Sequence, residues 1–192
     1  MLASIARDTD RDWTKWLWAD SMRDLEATPV PALAVVDIDG VLADVRHRLH
    51  HLSGRRRDWA AFFAAAPDDA VLPEGRSEIE RALAEGLGLV YLTGRPERCR
   101  AATINWLRAH GFPSAPLRMR PEHDRRPARE FKVEALHEIA SSGTIARVID
   151  DDDAVVTAVA SAGFPVVHAE WMHSQAAEAE ALGSAQERLG RT

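Results

Sequence analysis

The chain has 192 residues, a formal net charge of −6 and one cysteine, Cys99. That length suits one domain with a full hydrophobic core, and a single cysteine excludes an internal disulfide and favours a reducing compartment. The acidic balance gives no general attraction to nucleic acid. Since no run of about 20 apolar residues is present, and residues 1–8 lack the apolar core of a secretory signal, we expect a cytoplasmic protein without a membrane span.

The first predicted element is a helix over residues 8–27, in which three tryptophans are interleaved with charged side chains. The following Thr-Pro-Val-Pro, residues 28–31, ends it. We therefore predict an N-terminal segment, residues 1–31, whose tryptophans are better explained by packing on the main domain than by a ligand cage. At the other end, residues 172–192 are rich in alanine and glutamate and predict a C-terminal helical tail.

Between these ends, residues 32–171 alternate short apolar runs with helical stretches. The runs are almost continuously apolar, which indicates strands that are buried on both faces. Such alternation predicts a three-layer α/β fold with a parallel sheet. The predicted strands are 32–38, 87–92, 115–119, 145–149 and 165–168. The predicted helices between them are 74–86, 96–110, 129–141 and 152–162.

The connection between the first two strands is long for a simple loop. Its earlier part, residues 43–73, predicts a small helical cap over the carboxyl edge of the sheet, where ligands bind in open α/β folds. His47, His50 and His51 suggest a zinc site only weakly, because the last two are adjacent and no further spaced ligand accompanies them. Residues 55–57 are three arginines that either contact a phosphodiester backbone or form a solvated loop.

Polar residues follow the predicted strands at their carboxyl ends. The segments are Asp37-Ile38-Asp39-Gly40, Thr93-Gly94-Arg95 and Asp150-Asp151-Asp152-Asp153, and Lys132 stands near the start of the helix before the fourth strand. Gly40 permits a turn after the first pair of carboxylates, and the second segment stands at a predicted helix start, whose N–H groups suit a phosphate. Each segment alone has an ordinary explanation as a turn, a helix start or a surface residue. Their joint occurrence in this order favours a shared site.

This set of groups suits phosphoryl transfer. So many acids in one cleft would repel one another without a cation, and oxygen ligands favour Mg²⁺. The metal and the cationic side chains would neutralise a phosphate so that an anionic carboxylate can approach it. Asp37 would attack phosphorus to form an aspartyl-phosphate. Asp39 would protonate the leaving oxygen and later deprotonate the hydrolytic water.

The four motifs resemble those of the haloacid dehalogenase superfamily over residues 33–168. The residues that carry this resemblance are Val-Val-Asp37-Ile-Asp39-Gly-Val-Leu, Leu-Thr93-Gly94-Arg95, Lys132 and Val-Ile-Asp150-Asp151. The resemblance implies a Rossmann-like core with a small cap, in which Asp37 is nucleophile and metal ligand. It implies that Asp39 is the general acid and base and lends its carbonyl to Mg²⁺. An aspartate at this position favours a phosphatase over a dehalogenase or a phosphonatase.

The same resemblance assigns the remaining motif residues. Thr93 would hold the transferring phosphoryl group, and Lys132 would stabilise the charge around it. Asp151 is favoured as the direct metal ligand with Asp150 in support, while the two following acids, Asp152 and Asp153, would cap the next helix.

A narrower resemblance is to the 3′-phosphatase domain of phage-type polynucleotide kinase. It rests on Asp-Gly-Val-Leu-Ala-Asp followed by His47-Arg48, on Asp58-Trp59 and Phe62-Phe63, on Thr-Gly-Arg95-Pro-Glu, on Leu117-Arg118-Met119-Arg120 and on the lysine motif. That domain grips the substrate phosphate with arginines near its first two motifs, which implies Arg48 and Arg95 here, with Gly94 beside them. A guanidinium can clamp a terminal phosphate through two hydrogen bonds. The implied substrate is a DNA or RNA 3′-phosphate end.

The sequence departs from that domain in two ways. The family places an acid four residues before the motif lysine, where this chain has Ala128, so either Asp124 or Glu130 compensates or the substrate grip differs. No glycine-rich phosphate-binding loop followed by Lys-Ser/Thr is present, so we expect a phosphatase without a kinase half. A nucleotide or small-metabolite phosphatase is the near alternative; the acidic charge slightly favours small substrates, whereas a small cap favours large ones because it leaves the cleft open. A non-catalytic binding module with the same fold is the alternative from another class.

Overall fold

The computed structural model describes residues 31–53 and 57–172. The predicted helix over 8–27, the tail beyond Met172 and two of the three arginines at 55–57 lie outside these described residues. None of the helices within the described ranges is long and apolar enough to cross a membrane.

The strands are β1 (Leu33–Val36), β2 (Ala43–Asp44), β3 (Ala70–Val71), β4 (Gly88–Pro96), β5 (Leu117–Arg120), β6 (Ile145–Asp150) and β7 (Val166–His168). The α-helices are α1 (Trp59–Ala64), α2 (Pro73–Ala84), α3 (Arg100–Ala109), α4 (Ala128–Ala140) and α5 (Asp153–Ser161). Five strands form one parallel sheet in the order β5-β4-β1-β6-β7. This sheet with flanking helices confirms the predicted Rossmann-like α/β fold.

The central strand explains why its sequence is apolar on both faces. All four residues of β1 are buried, and the strand pairs with β4 on one side and β6 on the other. Hydrophobic side chains from β1, β4 and β6 pack with those of α2 and α3 into one continuous core. Because β1 lies between β4 and β6, the residues that follow or end these three strands are close in space although they are far apart in sequence.

The strand β4 is longer than predicted and overturns one expectation. It runs to Pro96, so residues 93–95 lie in extended backbone and not at a helix start. A short 3-10 helix, Glu97–Cys99, follows, and α3 begins only at Arg100. The cause is Pro96, because the residue before a proline is disfavoured in the helical region.

The predicted cap insertion over 43–73 contains both helical and strand structure. Its helical parts are a 3-10 helix, Arg46–His51, then α1, then a 3-10 helix, Ala66–Asp68. An antiparallel pair of two-residue strands, β2 and β3, stands at its base. The hydrophobic cluster of the insertion includes Leu49, Leu52, Phe62 and Phe63, and Met172 from beyond the insertion completes it. Strands this short leave no periodic signal in a sequence.

Candidate active site

The carboxyl edge of the sheet brings the predicted site residues together. Asp37 follows β1 directly, and its backbone N–H donates to the carbonyl of Ile149 in β6 at 3.0 Å. Thr93 lies in β4 and Asp150 is the last residue of β6. Asp37, Asp39, Thr93 and Asp150 are all buried. The site is therefore built on three adjacent strands of a rigid sheet.

Lys132 connects two of these strands from a helix. It lies in the second turn of α4 and is 2% exposed, so it is not a surface residue. Its Nζ donates to Asp37 Oδ2 and to Asp150 Oδ2, each at 2.7 Å. Burial by itself lowers the pKa of a lysine, but the carboxylates of Asp150 and Asp37 outweigh it and raise the pKa of Lys132 above its usual value. The side chain is therefore a fixed ammonium between two strand ends.

Three carboxylates form a cluster that suits a divalent cation. Oxygen atoms of Asp37, Asp150 and Asp151 lie within 4.8 Å of one another. The Asp151 carboxylate is 8% exposed and accepts no hydrogen bond from the described part of the chain. Burial, followed by repulsion from Asp150 and Asp37, raises the pKa of Asp151 well above its usual value. Burial likewise raises the pKa of Asp37 to about 7 in spite of Lys132. A hard cation would stabilise the ionised form of both carboxylates, and an all-oxygen donor set fits Mg²⁺.

Gly40 makes room for this cluster. Its φ is +79°, in the left-handed region that favours glycine. A Cβ at this position would lie 1.9 Å from Asp151 Oδ2 and 2.3 Å from Asp151 Cγ. The sequence indicated the turn at Gly40, and the structure adds that the missing side chain lets a carboxylate approach the backbone.

Asp152 belongs to the helix that follows, as predicted. It is the N-cap of α5, and its Oδ1 accepts from the N–H groups of Ala154 at 2.8 Å and Val155 at 3.2 Å.

Two buried arginines converge on Asp39. Arg48 is 0% and Arg95 2% exposed. Arg48 Nη2 donates to Asp39 Oδ1 at 2.7 Å, and Arg95 donates to the same oxygen through Nε at 2.9 Å and through Nη2. Burial by itself raises the pKa of Asp39, but the two guanidiniums outweigh it and lower the pKa to about 2. Asp39 is therefore ionised at neutral pH in this structure.

Asp69 is a member of the site that the sequence interpretation missed. It is buried directly before β3 in the cap insertion. Its Oδ1 accepts from Arg48 Nε at 2.7 Å, and its Oδ2 accepts from Arg48 Nη2 at 2.7 Å and Arg95 Nη2 at 2.9 Å. His47 Nε2 also lies 2.8 Å from Asp69 Oδ1. Nothing in the local Pro-Asp-Asp sequence sets this residue apart. The signal available was indirect, because two buried arginines require more than one carboxylate.

Neither acid suggested as a replacement at the Ala128 position reaches the arginines. Asp124 Oδ2 accepts from Arg126 Nη2 at 2.7 Å, and its Oδ1 lies 3.7 Å from Arg120 Nη1. Glu130 is exposed. The buried acid that shares Arg48 and Arg95 with Asp39 comes from the cap insertion instead.

The described residues do not bring His47, His50 and His51 together as the weakly suggested zinc site would require. His47 is turned to Asp69, and His50 Nδ1 contacts the backbone oxygen of His47 at 2.9 Å. Within residues 31–53 and 57–172, the set with metal-ligand geometry is the aspartate cluster, and no histidine belongs to it.

A small cavity stands over the acidic residues. Its volume is about 10 Å³, roughly the space of one water molecule. One part of its wall is polar and consists of Asp37, Asp39, Thr93 and Gly94. The other part is aromatic and consists of Trp59, Phe62 and Phe63 from α1. The cap insertion therefore stands directly over the first carboxylates.

A model of the phosphatase domain of polynucleotide kinase PNKP matches residues 31–171 of this chain. The chain belongs to this family. It is a phosphatase of the haloacid dehalogenase superfamily, as the motifs indicated. No curated protein sequence matches it.

Solved structures share the fold of this PNKP-type phosphatase domain. A chain of the Pnkp1/Rnl/Hen1 RNA repair complex is 22% identical, with a TM-score of 0.61, over 76% of this chain and 44% of that chain. The class C acid phosphatase from Bacillus anthracis with tungstate bound is 15% identical, with a TM-score of 0.54, over 80% of this chain and 79% of that chain. The present chain therefore spans less than half the length of its relative from the repair complex.

Proposed function

We propose that this phosphatase removes the 3′-phosphate from a nucleic-acid end, with Mg²⁺, through an aspartyl-phosphate on Asp37. The observation that carries the proposal is the environment of the Asp37 carboxylate. It is buried at a strand end, bonded to the Lys132 ammonium and adjacent to Asp150 and Asp151. A carboxylate in this position is fixed and partly neutralised, which suits attack on an anionic phosphate.

The donor set supports an assignment of the metal ligands. Asp37 and Asp151 would hold Mg²⁺ through their carboxylates, Asp39 through its backbone carbonyl, and Asp150 would support them while it binds Lys132. The cation would neutralise charge on the phosphoryl oxygens as a Lewis acid. The Asp151 carboxylate beside Gly40, which has no hydrogen-bond donor among the described residues, supports this assignment.

Thr93 and Lys132 would position the phosphoryl group. The Thr93 hydroxyl oxygen accepts from the backbone N–H of Arg95 at 3.2 Å. That bond leaves the hydroxyl hydrogen to donate to a substrate oxygen. Lys132 would hold Asp37 in place and offset the charge that collects as the carboxylate reaches phosphorus. Gly94, which adds no side chain to the cavity wall, leaves space for the phosphoryl oxygens.

Asp39 would act as acid and base once the substrate has taken its arginines. A phosphate is a strong bidentate acceptor for guanidinium groups, so it competes with Asp39 for Arg48 and Arg95. Loss of these partners removes what keeps the pKa of Asp39 near 2, and the carboxyl group can then carry a proton. Asp39 would give that proton to the departing 3′ oxygen. It would then take a proton from the water that attacks the aspartyl-phosphate, which frees Asp37 and inorganic phosphate.

The nucleic-acid end is supported by the family and by the arginines. The matching family model describes the phosphatase domain of a polynucleotide kinase, and a chain of similar fold is part of an RNA repair complex. Two buried guanidiniums with a shared acid, Asp69, form a more rigid phosphate clamp than exposed arginines would.

Phosphate release from a defined substrate set tests the proposal. The set is a 3′-phosphorylated oligonucleotide, the same oligonucleotide with a 5′-phosphate, a free 3′-nucleotide and an aryl phosphate, each with Mg²⁺ and with a chelator. We expect the 3′-phosphorylated oligonucleotide to have the highest kcat/KM, and we expect activity to disappear with chelation and with Asp37→Asn. If only free nucleotides turn over, the nucleotide phosphatase alternative is correct. If no substrate turns over, the chain is a binding module.

A further inference from the structure

The aromatic wall of the cavity lies on one face of α1. Trp59, Phe62 and Phe63 are spaced i, i+3 and i+4, so they share that face. Asp58 caps the helix, and its Oδ1 accepts from the N–H of Ala61 at 2.9 Å. This N-cap fixes where the helix starts, and Trp59 is its first residue.

The three aromatic side chains differ in what they contact. Phe62 is 1% exposed, and the Arg48 guanidinium carbon lies 4.1 Å from its ring centroid, so this ring supports an arginine of the site. Phe63 is 6% exposed and packs in the hydrophobic cluster of the insertion. Trp59 stacks on Phe63 with a centroid distance of 5.8 Å and meets the edge of Phe62 at 5.6 Å. Trp59 is half-buried, so part of its indole is covered by neither.

The indole N–H of Trp59 has no partner in the part of the chain that the structure describes. Its Nε1 is buried and has no hydrogen-bond acceptor within the residues that the structure describes. The other two tryptophans in the described ranges behave differently. Trp106 Nε1 donates to the Asp69 carbonyl at 2.9 Å, and Trp171 Nε1 donates to the Val41 carbonyl at 3.1 Å. A buried indole N–H ordinarily has an acceptor, so the Trp59 donor would gain one from a ligand that binds beside the indole.

The position of the phosphate decides which part of a substrate would meet Trp59. With phosphorus next to Asp37 and its oxygens at Thr93, the ester oxygen would point away from the polar wall. The group that it carries would then lie against the aromatic wall. Aromatic side chains bind nucleobases by stacking, and they tolerate any base because every base has a π-face.

We propose that Trp59 binds the terminal nucleoside, with its indole stacked on the base and its Nε1–H donated to an oxygen of the same nucleotide. This inference rests on the proposed function and names the part of the substrate that the phosphatase recognises beyond the phosphate. It assigns a specificity-determining role to a residue outside the four motifs. It also accounts for an aromatic helix directly over a carboxylate site.

Kinetics with matched substrates test this role. The substrates are a 3′-phosphorylated oligonucleotide, the same oligonucleotide with an abasic terminal sugar, and glycerol 2-phosphate. Stacking on one aromatic side chain is worth about 1–3 kcal/mol per base, so we expect Trp59→Leu to raise KM for the first substrate about tenfold or more. We expect kcat to stay within about twofold, since stacking on the base does not act on the chemical step. KM for the abasic oligonucleotide, which keeps the sugar oxygens but has no base to stack, should rise severalfold at most from the lost N–H, and KM for glycerol 2-phosphate should not change.

Trp59→Phe separates the ring from the donor and guards against a folding defect. It keeps an aromatic face, so we expect only the part of the KM increase that comes from the lost N–H, severalfold at most. Trp171→Phe is the control, because it also removes an indole N–H but at a site outside the cavity wall. We expect it to lower the melting temperature and to leave KM unchanged. Affinity measured by fluorescence anisotropy in the inactive Asp37→Asn background should follow the same order.

The outcomes are distinguishable from failure of the proposed function. An equal loss of kcat on all three substrates would show that Trp59 only supports the cap insertion. An unchanged KM in Trp59→Leu and Trp59→Phe would show that Trp59 does not contact the nucleoside. Either result overturns this inference while the wild-type chain still cleaves 3′-phosphorylated oligonucleotides. If the wild-type chain cleaves glycerol 2-phosphate and not the oligonucleotides, the proposed function itself fails, and this inference fails with it.

Discussion

Gly40→Ala is the substitution for which the structure makes its sharpest prediction. The new Cβ would lie 1.9 Å from Asp151 Oδ2, far inside van der Waals contact, so one of the two groups must move. Asp151 is short and buried, so its carboxylate cannot turn into solvent without leaving the cluster with Asp37 and Asp150. We therefore expect the substitution to displace a proposed metal ligand without touching any catalytic side chain.

The magnitude has two parts. A non-glycine residue in the left-handed region costs roughly 1–2 kcal/mol of stability, and this part would lower the melting temperature by several degrees. Displacement of a site group by about 1 Å costs on the order of 100-fold in rate, and this part would appear in kcat/KM. The Mg²⁺ concentration for half-maximal activity should rise as well, because the displaced group is a ligand.

Gly86→Ala is the matched control. Gly86 has a φ of +76°, close to that of Gly40, but a Cβ there meets nothing within 4 Å. Steady-state kinetics over a Mg²⁺ titration, together with thermal melting, compares the two variants. We expect both variants to lose melting temperature, Gly40→Ala more because the clash adds to the shared left-handed strain, with the activity loss and the higher Mg²⁺ requirement in Gly40→Ala alone. Equal activities in the two variants would refute the role of the glycine in making room for Asp151.

Three further predictions concern the charged network. Lys132→Met leaves the buried Asp37 and Asp150 carboxylates without their ammonium, and a broken buried ion pair costs about 3–5 kcal/mol of stability. We expect loss of measurable turnover and a lower melting temperature. Wild-type kinetics would contradict this. Asp69→Asn removes the charge that holds Arg48 and Arg95, so we expect KM for a 3′-phosphorylated oligonucleotide to change at least tenfold. The control is Asp68→Asn at the exposed neighbouring position, which should behave as wild type. Burial raises the pKa of Asp37 from 3.8 to about 7 and that of Asp151 as well, so the folded state binds these protons more tightly than the unfolded state does. In a chelator the melting temperature should therefore fall as the pH rises from about 4 through 7, and Mg²⁺ should reverse the fall. A melting temperature that rises over this interval would show that the pKa values of these acids are not raised by folding.

Three of the four motifs could be placed from the sequence because each lies next to a predicted strand. A parallel sheet brings its carboxyl ends to one edge, so Asp37, Thr93 and Asp150 had to meet once the strands were identified. Lys132 was harder, because a lysine on a helix is ordinarily exposed. Its burial depends on α4 packing against the sheet, which no local pattern encodes.

The cap insertion contains long-range contacts that local sequence patterns do not predict. Asp69 contacts Arg48 and Arg95, which are 21 and 26 positions away, and its own neighbours in sequence suggest a solvated loop. The sequence predicts a helix start at the Thr-Gly-Arg segment, because the helix predicted over 96–110 follows it directly. The restriction that Pro96 imposes on Arg95 extends β4 instead, and the same extension directs Arg95 to Asp39.

The most direct test of the central claim is to trap the phosphorylated enzyme. In Asp39→Asn the proposed base for the second step is absent, while an aryl phosphate has a leaving group that needs no acid. This variant, incubated with p-nitrophenyl phosphate and Mg²⁺, quenched in acid, reduced with borohydride and mapped by mass spectrometry, should yield homoserine at position 37. Phosphate release without a covalent adduct, or an adduct that persists in the Asp37→Asn, Asp39→Asn double variant, would contradict the account.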